Sequence, residues 1–164
     1  MTATVLSLAL SGSVLGTSPD GFLSEAVREM TLMDIVNLVR YHRRLFVMVD
    51  AVRFAHGESK RLFPNDPQAP NGRGNAFKHA LWSALLSAEI DERAAKRITD
   101  GHEDWPGNPA NEKAMDLHNN KIGVAVGDRM RGSARAAIED AVMAELRGGR
   151  LRYLKGGRLG PTNE

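Results

Sequence analysis

The chain has 164 residues, of which 42% are apolar and 26% charged, values typical of one globular domain rather than a disordered chain. It has no cysteine, which excludes disulfides, thiolate metal sites and cysteine nucleophiles. Its 22 basic and 20 acidic residues leave a net charge of only +2, which argues against a nucleic-acid binder. No apolar run approaches the length of a membrane span.

The N-terminal segment carries little structural signal. Its first 17 residues are mildly apolar but lack the basic stretch of a signal peptide, so secretion and a cytoplasmic location both stay open. Residues 1–20 are expected to be flexible or loosely docked. From Phe22 onward, apolar residues recur at spacings of three and four, which predicts a first helix.

A second helix is predicted from about residue 31. Thr31 is a candidate cap, with Asp34 three residues later in the manner of a capping box. Apolar residues recur from Ile35 to Phe54, and Gly57 is the predicted end.

The next stretch combines a loop with the most apolar helix. Residues 63–74 hold three prolines and two glycines, which predicts a loop. Asn75 is the candidate cap of a helix over 76–90, whose apolar residues cover more than one stripe. We therefore expect this helix to be central and the most buried.

Three further helices complete the prediction. Residues 91–103 begin with acids, as helix N-termini often do. After a loop over 104–111, Asn111 is the candidate cap of a long helix. Ser133 is the candidate cap of a last helix that runs through Leu146.

These elements predict a single compact all-α domain of five or six helices over residues 1–164. The basic tail, residues 147–164, repeats Gly-Gly-Arg-Leu and forms either a short hairpin or an ordered coil along the body. Its few basic residues are more typical of a solvated face than of a nucleic-acid site.

The central helix carries a polar strip on an otherwise apolar segment. Asn75 precedes His79 by four residues, and Trp82 follows His79 by three, so the three side chains are neighbours on one helix face. Because buried polar groups need partners, we expect polar side chains of the following helices to meet this strip.

The first set of partners lies at the end of the third predicted segment. Asp100 and Glu103 are three residues apart and share a face, with His102 beside them. A solvated helix end is the alternative interpretation of these acids.

The second set lies in the middle of the long helix. Asp116 and Asn120 are four residues apart, and Asn119 is adjacent. Two consecutive asparagines are unfavourable in a helix interior, which indicates a role other than helix formation.

Together the three helices predict one site. The predicted catalytic residues are His79, His102, Glu103 and Asp116, the predicted substrate-binding residues are Asn75, Trp82, Asn119 and Asn120, and the predicted metal ligands are His79, Asp100, His102 and Asp116. Zinc or manganese would suit such ligands. In the metal-free alternative, His79 or His102 is the general base and Glu103 the acid.

Three segments in this order, NAFKHALWSALL, AKRITDGHE and MDLHNNKIG, resemble a bacterial domain-of-unknown-function family over about residues 70–125. Its members are found alone and at the C-terminal ends of secreted or toxin-like proteins. Members often carry Gly-Arg after the asparagine pair, whereas Val124 follows Gly123 here, so the resemblance implies no anion contact from an arginine at that position. The resemblance implies no particular reaction, but the occurrence of family members in toxin-like proteins favours a hydrolase.

The sequence is therefore compatible with two functions. The first is a hydrolase, metal-assisted or metal-free, acting on a phosphoester, lipid or cell-wall bond of a small molecule or the cell envelope. The second is a non-enzymatic binding module in which the polar network only fixes the helix packing.

Overall fold

Helices make up most of the chain that the structure describes, a computed structural model covering residues 32–66 and 69–164. The elements are α1 Leu32–Arg40, α2 Leu45–Leu62, α3 Arg73–Glu89, α4 Glu92–His102, α5 Ala110–Arg129, α6 Arg135–Arg147, β1 Arg152–Lys155 and β2 Arg158–Pro161. The predicted all-α fold of about six helices with a C-terminal hairpin is confirmed. The predictions for residues 1–31 lie outside the described residues.

Helix α3 is the centre of the fold, as its apolar composition predicted. Its side chains Phe77, Leu81, Leu85 and Leu86 are fully buried, and α2, α4, α5 and α6 all pack against it. Burying a side chain of this size stabilises a protein by about 1.5–3 kcal/mol. The polar residues of α3 are thus surrounded by other helices rather than by water.

Helix α5 makes its closest approach to α3 through two glycines. A Cβ atom on Gly123 would lie 2.1 Å from the carbonyl oxygen of Ala80, and one on Gly127 would lie 2.0 Å from that of Ala84. Only glycine permits such backbone contact. The contact partner moves from Ala80 to Ala84 as the glycine moves from Gly123 to Gly127. The two helices therefore run in the same direction and in a fixed register.

The start of α3 differs from the prediction for a physical reason. Gly72, not Asn75, is the N-cap, and the carboxylate of Asp66 accepts a hydrogen bond from the Gly74 N–H at 2.6 Å. A loop residue thus satisfies a free helix N–H group. Asn75 is the third residue of the helix, and its side-chain amide contacts another helix instead of capping this one.

Two other predicted caps were also wrong. Helix α5 begins at Ala110 after Pro109, and Asn111 instead donates from its side chain to the carbonyl of Gly157 at 3.1 Å. Helix α6 is preceded by Ala134 rather than capped by Ser133. By contrast, Asp91 caps α4 by accepting from the N–H of Ala94 at 2.7 Å.

The predicted second helix is in fact two helices. A 3₁₀ turn over His42–Arg44 separates α1 from α2, and α2 continues through Gly57 to Leu62. A Cβ on Gly57 would meet no atom within 4 Å, so nothing at this position forces the helix to end. Phe63 ends it, because the residue before Pro64 is disfavoured in helical conformation.

The C-terminal tail forms a hairpin rather than a coil. Arg152 pairs with Pro161 and Lys155 with Arg158, and the turn residues Gly156 and Gly157 have φ values of 58° and 77°. Such positive φ values favour glycine and match the hairpin twist.

Asn119 anchors the hairpin to the helices. Its side chain accepts a hydrogen bond from the backbone N–H of Arg152 and donates one to the Arg152 carbonyl, both at 2.9 Å. A second contact joins the Leu154 N–H to the carbonyl of Asn71 at 2.9 Å. The hairpin is therefore tied both to α5 and to the loop before α3.

Candidate functional site

His79 lies between two carboxylates that come from different helices. Its Nδ1 atom is 3.4 Å from Oε1 of Glu103, which follows α4, and its Nε2 atom is 3.5 Å from Oδ1 of Asp116 on α5. We call these three residues the His79 cluster. The helical faces predicted to meet therefore do meet.

The backbone explains this meeting. The close contact of Gly123 with Ala80 brings α5 against the part of α3 that carries His79. Glu103 is held at the end of α4, where its N–H bonds to the carbonyl of Asp100 and its carbonyl accepts from the Asn108 side chain at 3.0 Å. Helix packing and a helix end thus position the cluster.

Neighbouring amides and a hydroxyl surround the cluster. Asn75 donates to Oδ1 of Asp116 at 3.1 Å, and Ser83 donates to Oδ1 of Asn120 at 3.1 Å. Sequence reasoning missed Ser83, although it lies four residues after His79 on the polar strip of α3. The strip is thus longer than predicted.

Several buried polar atoms of the site have no hydrogen-bond partner. In the part of the chain that the structure describes, these atoms include Nδ1 of His79, Oε1 of Glu103, Nδ2 of Asn120 and Nε1 of Trp82. The amide of Asn120 influences the pKa of both His79 and Glu103 without a well-formed bond to either. A buried polar group that is left without a partner costs a protein about 1–3 kcal/mol of stability.

Burial dominates the electrostatics of the cluster. Burial, followed by the charge of the neighbouring Glu103, raises the pKa of Asp116 to about 8. Burial also raises the pKa of Glu103, and it lowers the pKa of His79 well below its usual value. At neutral pH the protein alone therefore favours a protonated Asp116 and an uncharged His79.

The side chains of the cluster are not equally enclosed. Asp116 keeps 11% of its side chain exposed, His79 keeps 7% and Glu103 keeps 3%. Asp116 is therefore the most exposed member of the cluster, and the half-buried Asn75 lies beside it. Trp82 packs edge-on near His79, with ring centroids 6.5 Å apart.

His102 packs against Trp82, but among the described residues its ion pair is with Asp34 and not with a member of the His79 cluster. Its ring lies 5.5 Å from that of Trp82, and its Nδ1 atom is 3.1 Å from Oδ2 of Asp34 on α1. Burial lowers the pKa of His102, but the hydrogen bond and charge of Asp34 outweigh burial, and the net pKa is raised. The sequence pattern indicated Asp34 only as a helix-capping residue.

Two other predicted site residues also lie outside the cluster. Asp100 forms an ion pair with Lys96 on the more exposed side of α4, one turn before Glu103. Asn119 uses its side chain to hold the hairpin through Arg152. The structure thus brings together His79, Glu103 and Asp116 with Asn75, Asn120 and Trp82, but not Asp100, His102 or Asn119.

The His79 cluster also has the composition of a metal site. Each member offers one ligand atom, and these atoms lie within 4.8 Å of one another. The set differs from the predicted one, because Glu103 replaces Asp100 and His102. An imidazole and two carboxylates can move protons, bind a cation or form a closed polar network.

Comparison with known proteins gives a family but no reaction. No solved structure matches the chain. Among residues 32–66 and 69–164, no helix combines the length and apolar character that a membrane span requires. A family model described as a domain of unknown function, DUF6973, matches residues 35–150, which include all three motif segments and the His79 cluster. The chain belongs to this domain-of-unknown-function family, DUF6973.

Proposed function

We propose that the protein is a hydrolase whose reaction takes place at the His79 cluster. The observation that carries the proposal is the convergence of His79, Glu103 and Asp116 from three separate helical segments, with buried polar atoms left unpaired. Functional sites are where proteins tolerate such local instability.

In the proposed reaction, the oxygen of a water molecule bonds to a phosphorus or carbonyl carbon. The bond from that atom to its leaving group breaks, one water proton passes to the cluster, and a proton passes to the leaving group. Asn75 and Trp82 lie beside the cluster, where they would contact the bound substrate. The proposed substrate is a phosphoester, a lipid or a cell-wall bond, because the family that the motifs resemble is expected to occur also at the C-terminal ends of secreted or toxin-like proteins.

The experiment is a hydrolysis panel with matched variants. The substrates are bis-p-nitrophenyl phosphate, a p-nitrophenyl ester, a fluorescent phospholipid and purified peptidoglycan. We expect Asp116→Asn to lower the rate on the accepted substrate by about 10²–10⁴-fold, as loss of a proton-transfer or water-activating group does. Asp100→Asn, the same change at an acid outside the cluster, should leave the rate within about twofold of the wild type. Equal rates for the two variants would contradict the proposal.

A second candidate function is supported by the burial of the cluster. With at most 11% of any of its side chains exposed, the His79 cluster could serve only to specify helix packing in a binding module. In that case Glu103→Gln should destabilise the protein, because a structural partner is lost. In the proposed hydrolase the same substitution removes a buried charge that the fold does not need.

A further inference from the structure

We infer that the His79 cluster binds one divalent transition-metal ion, zinc or manganese, through His79, Glu103 and Asp116. The inference rests on the proposed function only for the use of the ion in hydrolysis. The binding of the ion stands on the geometry of the site alone.

The ligand set is the first argument. One imidazole nitrogen and two carboxylate oxygens within 4.8 Å of one another match the three protein ligands typical of catalytic metal sites, which keep a further position for water. Nitrogen and oxygen ligands without sulfur suit zinc and manganese. A bound ion would supply a Lewis acid that activates that water.

The unpaired buried atoms are the second, independent argument. Taken over the whole residue, backbone included, His79 is only 5% exposed and Glu103 only 2% exposed. Nδ1 of His79 and Oε1 of Glu103 have no hydrogen-bond partner, although they lie 3.4 Å apart. A structural network would pair these atoms with each other, whereas ligands of a cation need not bond to one another.

The charges around the cluster are the third argument. Within residues 32–66 and 69–164, neither Glu103 nor Asp116 forms an ion pair with an arginine or lysine. The charges of Lys78 and His102 lower the pKa of both carboxylates, but in the described part of the chain neither residue forms an ion pair with Glu103 or Asp116. A buried pair of carboxylates is usually balanced by a paired cation or a metal.

A second layer of residues holds the ligands in place. Asn75 bonds to Asp116, and Asn108 bonds to the backbone of Glu103. The hydroxyl of Ser83 donates a hydrogen bond to Oδ1 of Asn120. The Nδ2 atom of Asn120 is then free to act on His79 and Glu103. Such outer contacts orient metal ligands and are typical of built metal sites.

The test titrates chelator-treated full-length protein with Zn²⁺ or Mn²⁺ alone. Trp82 lies 6.5 Å from His79, and its fluorescence reports occupancy if the exposed Trp105 is replaced in a Trp105→Phe background. We expect a saturable change at about one equivalent of at least one of the two ions, together with a rise in the thermal unfolding temperature.

Matched variants locate the ion. Asp116→Asn and Glu103→Gln should each weaken binding by at least about tenfold, whereas Asp100→Asn should bind as tightly as the wild type. Circular dichroism checks that each variant is folded. For a variant that does not fold, the visible absorption of Co²⁺ bound to the wild type serves instead, since Co²⁺ held by three such ligands gives intense bands that hydrated Co²⁺ lacks.

The inference would be overturned if the wild type bound fewer than about 0.1 equivalents of Zn²⁺ and also fewer than about 0.1 equivalents of Mn²⁺. Equal loss of binding in Asp100→Asn and Asp116→Asn would also overturn it. Binding without hydrolysis would contradict the proposed function and leave the metal site standing. Hydrolysis that survives complete chelation would overturn the use of the ion in the reaction, whereas the binding of the ion is decided by the titration.

Discussion

The Nε2 atom of His79 lies 3.5 Å from Oδ1 of Asp116, and Asn75 donates a hydrogen bond to that same carboxylate oxygen. An amide, an imidazole and a carboxylate thus meet between two parallel helices. The pKa of Asp116 is raised to about 8 because the group is buried beside a second acid, Glu103. Burial thus disfavours the ionised form of Asp116, and this has a measurable effect on the stability of the protein.

The first consequence is a pH dependence of stability. Between an unfolded pKa of 3.8 and a folded pKa of about 8, folded Asp116 retains a proton that the unfolded chain releases. This residue therefore stabilises the metal-free fold fully below pH 4, and its contribution is lost as the pH rises toward 8, by at most about 1.4 kcal/mol per pH unit.

Urea unfolding of the wild type and of Asp116→Asn in chelator-containing buffer, from pH 5 to 9, isolates this effect. We expect the stability difference between the two proteins to move in favour of Asp116→Asn as the pH rises, and to level off above about pH 8. A difference that is constant across this range would show that the pKa of Asp116 is not raised.

The second prediction concerns the contact that sets the helix register. Gly123→Ala places a Cβ 2.1 Å from the carbonyl oxygen of Ala80, so α5 must move away from α3. We expect a loss of about 1–3 kcal/mol or more in the free energy of unfolding. Gly57→Ala, in an open mid-helix position, is the matched control and should gain up to about 1 kcal/mol. If both substitutions lower the free energy of unfolding, or both raise it, the proposed role of Gly123 in the helix register is contradicted.

The third prediction concerns the hairpin anchor. Asn119→Ala leaves both backbone groups of Arg152 without their partner, and we expect it to cost about 1–3 kcal/mol. Hydrogen exchange should quicken at the β1 and β2 amides. Asn111→Ala removes an exposed contact to Gly157 of the same hairpin and should cost less than about 1 kcal/mol. Equal costs would show that Asn119 is not the main anchor.

The fourth prediction concerns the pair outside the cluster. The hydrogen bond and charge of Asp34 raise the pKa of His102, so Asp34→Asn should lower that pKa. An NMR titration of the His102 ring protons measures the change. Asp100→Asn, whose carboxylate pairs with Lys96, is the control and should shift the His102 titration less. A larger shift in the control would mean that Asp100, not Asp34, faces His102.

Sequence reasoning succeeded where helical spacing decides the outcome. The spacing of Asn75 and His79 predicted a polar strip on the most buried helix, and the strip is there. The same spacing reached as far as Ser83, whose hydroxyl bonds to Asn120 across the helix contact, but a lone serine in an apolar helix does not by itself indicate a partner.

The sequence did not predict the direction of a side chain where tertiary contacts decide it. Asp100 and Glu103 share a face of α4 by spacing, yet Glu103 lies beyond the last helical residue and turns inward, while Asp100 stays with Lys96. Likewise, Asn119 and Asn120 are adjacent, but one faces the hairpin and the other Ser83. No local pattern distinguishes the members of either pair, because the distinction depends on which helix lies opposite.

The central claim is that the His79 cluster is a functional site that the fold maintains at a cost in stability. The most direct measurement is the free energy of unfolding of Glu103→Gln in chelator-containing buffer at pH 8. Because Oε1 of Glu103 is buried without a hydrogen-bond partner, we expect the variant to be as stable as the wild type or more stable. A loss of about 1–3 kcal/mol, the size expected for Asn119→Ala, would contradict the claim and identify the cluster as a structural network.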